Sequence, residues 1–161
     1  MFESAIAINE FQCKGFEKIA ADISEESFYE PGAGHGHPPV WIMGHLALTA
    51  ESGMQYFGKT IAHPEWGPIF GPGSPGQVVV SESLAKAVLQ ETLLENYREL
   101  RDFAVQASSE AMSQPHRIPL FRGTPIKTVG DCITLLLTNH FGFHLSQLSS
   151  CRRAAGFGPL F

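Results

Sequence analysis

The stretch from Ile133 to Cys151 constrains this chain more than any other. Ile133, Leu136, Leu137, His140, Phe141, His144, Leu145, Leu148 and Cys151 recur at steps of three and four, the rhythm of a long helix with one face buried. Residues i and i+4 lie little more than one turn apart, so His140 and His144 project from the same face, one above the other. Both replace apolar residues on the side that meets the core. A buried imidazole must recover its desolvation through hydrogen bonds or a metal, and two stacked imidazoles are easier to hold as neutral ligands than as a charged pair. Gln147 lies near the same face, placed to orient a metal-bound water or a ligand histidine. The pair alone leaves two readings open, hydrogen-bonded core histidines or ligands of an ion.

A third histidine, His45, sits in Trp41-Ile42-Met43-Gly44-His45-Leu46 on a second amphipathic stretch, with Trp41, Leu48 and Ser52 on its stripe. If the two helices pack face to face, the three imidazoles converge on one ion; the plainer role of His45 is a buried hydrogen-bond partner. The chain as a whole reads as all-α, with four helical stretches joined by Gly- and Pro-rich connectors. The first runs from about Phe2 to Ile23, with Phe2, Ile6, Cys13, Phe16, Ala20 and Ile23 on one side and Asn9 interrupting as a polar core residue. The second runs from about Pro39 to Phe57, with Pro39 suited to its first turn. The third is capped by Ser81 and continues to about Ser108. The fourth runs from about Thr128 to Ala154 and stops at Gly156.

The connectors carry their own candidates. His35-Gly36-His37 resembles a ligand pair, but glycine-flanked loop histidines lose much entropy on ordering, so a solvated loop is expected. The segment from Gly58 to Val80, with Trp66, Phe70 and Gly71-Pro72-Gly73-Ser74-Pro75-Gly76, is too long for a hairpin link and is expected to cover the site mouth or a partner surface. Glu91, Glu95 and Glu99, with Arg98 and Arg101 nearby, read as an exposed acidic face rather than as carboxylate ligands.

A length of 161 residues is about one domain, expected to span 1–161. Apolar residues make up 43% and charged residues 17%, which fits a bundle that hides part of its surface in a homodimer. A formal net charge of −5 opposes nucleic-acid binding, and Arg152 and Arg153 are assigned to the negative end of the last helix. Cys13, Cys132 and Cys151 offer no disulfide framework and no CxxC pair, which points to reduced cytoplasm. Each reads as a small core residue, with a second reading of Cys151 as a redox-sensitive thiol. The N-terminal Met1-Phe2-Glu3-Ser4 lacks a basic region, and the longest apolar run, Ile133 to Leu137, is too short to span a membrane, so no membrane partner is expected.

WxxGHL at Trp41 to Leu46, HxxxHxxQ at His140 to Gln147 followed by Leu148-Ser149-Ser150-Cys151-Arg152-Arg153-Ala154-Ala155-Gly156, and Ile118-Pro119-Leu120-Phe121-Arg122-Gly123-Thr124-Pro125-Ile126 with Thr128 together resemble the DinB-like (DinB/YfiT) superfamily of metal-dependent enzymes. Each motif is short, but their order and separation are specific, and the resemblance covers nearly the whole chain. It implies a four-helix bundle, a dimer, and one metal held by His45, His140 and His144, with Gln147 beside them at a position where the family varies. Three neutral ligands leave a divalent ion its full charge and an open position, so that it lowers the pKa of a water or thiol. Some members of the family use the site for transfer or isomerisation with low-molecular-weight thiols. The expected function is therefore that of a metal-dependent enzyme, a hydrolase or a thiol S-transferase acting on a small molecule. The alternative is a non-catalytic metal-binding or dimerisation bundle. Histidine ligands suit Zn, Ni, Fe and Mn alike.

Overall fold

A computed structural model describes residues 2–31 and 36–160. Helix α1, Glu3–Asp22, buries Ala5, Asn9, Cys13, Phe16, Ile19 and Ala20, a stripe at helical spacing interrupted by one polar residue, as the sequence implies. Asn9 stays in the core because its Oδ1 accepts a hydrogen bond from Arg101 Nη1 at 2.7 Å; it serves packing between helices. Helix α2, Pro39–Met54, is buried on nearly every side, with only Thr49 and Ser52 outside its buried set. A helix that is apolar all round belongs in the middle of a protein, and α2 packs against both helix α4, Lys86–Gln106, and the C-terminal helix. Gly53 permits the close approach, since a Cβ there would lie 2.8 Å from Leu136 Cδ1 and 3.2 Å from Leu100 Cδ1.

Between α2 and α4 the connector is folded. A 3-10 turn at Gln55–Phe57 ends at Gly58 in the left-handed region, φ 84°, a conformation glycine adopts without strain. A second 3-10 turn at Pro64–Trp66 leads into the short helix α3, Gly67–Phe70. A third, Glu82–Leu84, takes up the chain after Ser81. The expected cap at Ser81 is therefore displaced. Helix α4 starts after Ala85, which offers no side-chain hydrogen bond, and Ser81 instead receives the Leu84 N–H on its carbonyl. At the other end, extended backbone at Ala107 and Ser108 stops α4 at Gln106, and Ser108 caps a further short helix α5, Ser109–Ser113.

The C-terminal helix begins where expected. Thr128 accepts from the Asp131 N–H while the Asp131 carboxylate accepts from the Thr128 N–H, a reciprocal box that satisfies two of the otherwise unpaired amides of the first turn. The helix then proceeds as α6, Val129–Leu135, a π turn at Leu136–His140, and α7, Phe141–Ala154. Helix α1 runs alongside it in the same direction: Gln12 donates to the Thr138 carbonyl at 3.2 Å, and Arg152 Nε donates to Asp22 Oδ2 at 2.6 Å. Arg152 thus has a different role from the one expected. It is buried, ties the end of α1 to the carbonyl of Gly158 in the tail, and lies over the Phe157 ring. Arg153 stays exposed at the helix end.

The protein is all-helical, with no strand among the described residues beyond an isolated bridge between Pro115 and Thr128. Four long helical stretches emerge when α6 to α7 is taken as one. The short α3 and α5 and the 3-10 turns are additional to the expected pattern, since they fold from segments too short to announce themselves by periodicity. No described helix is long and apolar enough to cross a membrane.

Candidate metal centre

Helix α2 delivers His45, the last residue of the π turn is His140, and the next turn of α7 supplies His144. One ring nitrogen from each lies within 4.8 Å of the other two. His45 and His144 are buried and His140 is half-buried. The His45 and His140 Nε2 atoms stand 3.2 Å apart. A tetrahedral ion with Zn–N bonds of about 2.0–2.1 Å holds its ligand nitrogens about 3.3–3.4 Å from one another, so this pair is already at ligand spacing.

The outer hydrogen bonds decide which nitrogen faces inward. His45 Nδ1 lies 2.7 Å from the carbonyl of Phe70. A carbonyl only accepts, so Nδ1 carries the proton and the Nε2 lone pair points into the cluster. His144 Nδ1 lies 2.8 Å from Gln147 Oε1, an amide oxygen that accepts, which assigns the same tautomer. An imidazole donating its far N–H to an oxygen is the usual support of a metal-ligating histidine. His140 Nδ1 is buried with no hydrogen-bond partner among the described residues.

Electrostatics favour the neutral ring at His45 and His140. Burial, with added repulsion from His144 and His45, pushes the His140 pKa down to about 3. Burial also lowers that of His45, against the opposing pull of the Phe70 carbonyl. Three imidazoles, two of them disfavoured as cations, form a donor set suited to a borderline divalent ion, and the residues present fit such a group.

Around the cluster, Trp41 stacks on His45 with ring centroids 4.7 Å apart and an interplanar angle of 8°. On its other face His37 stacks at 3.9 Å and 12°. His37 is therefore part of the ordered wall beside the site, and the expectation of a solvated loop fails for it, because a flat indole offers the ring a partner the local sequence does not reveal. It is separated from His45 by the whole indole. His35 lies outside the described residues. The indole Nε1–H of Trp41 donates to Ser74 Oγ at 2.7 Å, so with Phe70 and Ser74 the connector covers one side of the site. The exposed Phe143 meets His144 edge-on at 5.2 Å.

Several candidates fall elsewhere. Ser52 is exposed and donates back to the Leu48 carbonyl. Glu91 is exposed, Glu95 pairs with Arg98 and Glu99 with Lys59, so none of the three joins the histidines. Cys151 is half-buried, and burial pushes its thiol up to about 11, which opposes a reactive thiolate. The Phe70 carbonyl is the partner that sequence reasoning missed. A backbone acceptor has no signature in residue type, and only its position next to a glycine-rich turn hinted at it.

An all-helical frame that brings three imidazoles together, two of them with Nδ1 tied to an oxygen, defines a helical protein with a candidate histidine metal centre. Its lineage agrees with that form. The chain belongs to the DinB superfamily, which it matches over residues 10–148, a span that includes all three histidines and Gln147. No curated protein matches the chain.

Proposed function

We propose that this protein binds one divalent metal ion through His45, His140 and His144 and acts as a metal-dependent enzyme, a hydrolase or a low-molecular-weight-thiol S-transferase. The scaffold is read as a single four-helix-bundle domain that pairs as a homodimer, and its free cysteines fit a reducing cytoplasm. The observation that carries the reading is the convergence of three imidazoles within 4.8 Å, the His45 and His140 Nε2 atoms 3.2 Å apart, with His45 and His144 held in the tautomer that turns Nε2 inward.

When bound, such an ion supplies Lewis acidity that favours the deprotonated form of a water or thiol near neutral pH. The chain's own residues then do the positioning. Gln147 holds the rotation of His144, Trp41 gives a flat wall against His45, and Phe143 lies edge-on against His144. Depressed histidine basicity keeps protons from competing for the lone pairs at neutral pH. A second reading, a mainly structural ion, is favoured by the burial of His45 and His144, which are 5% and 7% exposed.

The test is metal analysis of protein purified without a nickel column, followed by a screen for thiol transfer and for ester and amide hydrolysis by the metal-loaded protein. Stoichiometric metal with turnover that is lost in His144→Ala is expected. Stoichiometric metal without turnover in either screen supports the structural ion, and protein that neither retains nor rebinds a divalent ion overturns the site.

A further inference from the structure

We propose that Glu51, His63, Trp66 and Phe70 form a latch that fixes the tautomer and rotation of His45, which makes them positioning residues of the metal site. The inference rests on the proposed site but concerns a part of the molecule that the three-histidine reading leaves unused.

The latch starts with a buried carboxylate. Glu51, 3% exposed, sits on α2 beyond His45. Its Oε2 accepts the backbone N–H groups of Ala62 and His63 at 3.1 and 3.2 Å. Its Oε1 meets His63 Nδ1 at 2.6 Å and Asn96 Nδ2 at 3.1 Å. A charge removed from water survives only with such a set of donors, and here most of them come from the connector. Glu51 therefore pins residues 62 and 63 to α2.

Ring packing carries the constraint onward. His63 stacks on Trp66 at 4.0 Å and 13°, and Trp66 meets Phe70 at 5.6 Å and 88°. The Phe70 ring is fully buried and occupies the space that a Cβ on Gly44 would need, 2.5 Å away. The backbone of the same residue accepts the His45 Nδ1–H. A helix as short as α3 has no independent stability, so its tertiary contacts must hold that carbonyl in place. The connector is thus a strap fastened to one helix at two points, at Glu51 by charge and at Gly44 and His45 by shape and a hydrogen bond. Glycine at position 44 is what allows the ring to come close enough for the carbonyl to reach.

A strap that only stabilised the fold would leave the His45 tautomer indifferent to its removal. Nitrogen-15 NMR of histidine-labelled apo-protein at neutral pH reads that tautomer directly, and calorimetric titration with Zn2+ reads affinity. The wild-type protein is expected to show His45 protonated on Nδ1. Glu51→Gln, Trp66→Leu and Gly44→Ala are each expected to mix the two tautomers and to weaken Zn2+ binding about 10–100-fold, the usual effect of losing an outer partner of a metal ligand. Helical content by circular dichroism should be retained, and the exposed control Glu95→Gln should change neither readout. Because one strap is involved, Gly44→Ala and Glu51→Gln combined should cost less than the sum of the two. If Glu51→Gln fails to fold, Gly44→Ala carries the test, since it leaves the Glu51 hydrogen bonds in place.

The proposal is overturned if wild-type His45 is protonated on Nε2, or if the folded variants keep the wild-type tautomer and affinity. Tautomer mixing in the variants of a protein that binds no Zn2+ supports the latch and removes the metal reading instead.

Discussion

Truncating any one of the three imidazoles should remove the ion and leave the helices. His45→Ala, His140→Ala and His144→Ala are each expected to abolish stoichiometric binding in calorimetric titration, with unchanged circular dichroism. Full occupancy in His45→Ala would detach α2 from the site. His37→Ala is the contrast, because the Trp41 indole stands between that ring and His45; its affinity should stay within a few-fold of wild type, since it removes neither a ligand nor a ligand's hydrogen-bond partner. Protonation offers a second measurement on the same residues. An unfolded histidine takes up its proton near pH 6.5, whereas folded His140 does so only at about 3. Between those values the unfolded chain holds more protons. The stability of the apo-protein should therefore be fully present above about pH 6.5 and fall as the pH drops, by up to about 1.4 kcal/mol per pH unit from this group. His45 acts in the same direction. Urea midpoints that stay constant from pH 7 to pH 4 would contradict neutral, buried imidazoles.

At the level of the element, the C-terminal helix shows how local chemistry sets a boundary that the site depends on. Thr128 and Asp131 close the first turn by reciprocal hydrogen bonds, and donation from the Lys127 and Thr128 amides holds the Asp131 carboxyl below its usual range. Thr128→Ala should cost about 1 kcal/mol in chemical denaturation, with metal affinity preserved because α7 is anchored independently through Phe141, Leu148 and Arg152. A loss below about 0.3 kcal/mol would show that the capping box adds little to packing. The π turn at Leu136–His140 is a feature of a different kind. One wider turn shifts the phase of everything after it relative to what came before, so the facing of His140 and His144 toward α2 is set there as well as by the i,i+4 spacing.

For the whole molecule, the surface of α1 and α7 bears on assembly. Phe11 on α1 is 67% exposed and Phe143 on α7 is 58% exposed, with Ile8 also outward, and large apolar side chains on adjacent helices are the kind of surface that pairing would hide. Sedimentation is expected to show a homodimer at tens of micromolar, a concentration of the order at which specific pairs associate. A monomer there would count against dimerisation, and Ile8→Ser with Phe11→Ser should weaken the pair without disturbing the metal site if this face is the contact.

Much of this architecture could be read along the chain. Helical rhythm located the stripe on α1 and the span of the C-terminal helix from about Thr128, and Pro39 marked the start of α2, because periodicity and ring constraint are local properties of neighbouring residues. The same locality made the three histidines visible as polar intrusions on apolar faces, and motif order tied them together. Other features depended on residues far apart in sequence. Ser81 lost its role as a cap to Ala85, His37 was drawn from a glycine-rich loop onto Trp41, Arg152 turned from the helix end to Asp22, and Glu51 became the anchor of the connector. None of these pairings leaves a periodic trace, since each is decided by which surfaces meet once the helices pack. The sequence by itself thus determined which residues could ligate an ion and on which helices they stand. The Gln147 amide that turns His144, three residues away on the same helix, was legible too; only the tertiary structure decided that a backbone carbonyl at Phe70 would turn His45 inward, because a ring's orientation is fixed by the partner of its far nitrogen, and that partner is chosen in space.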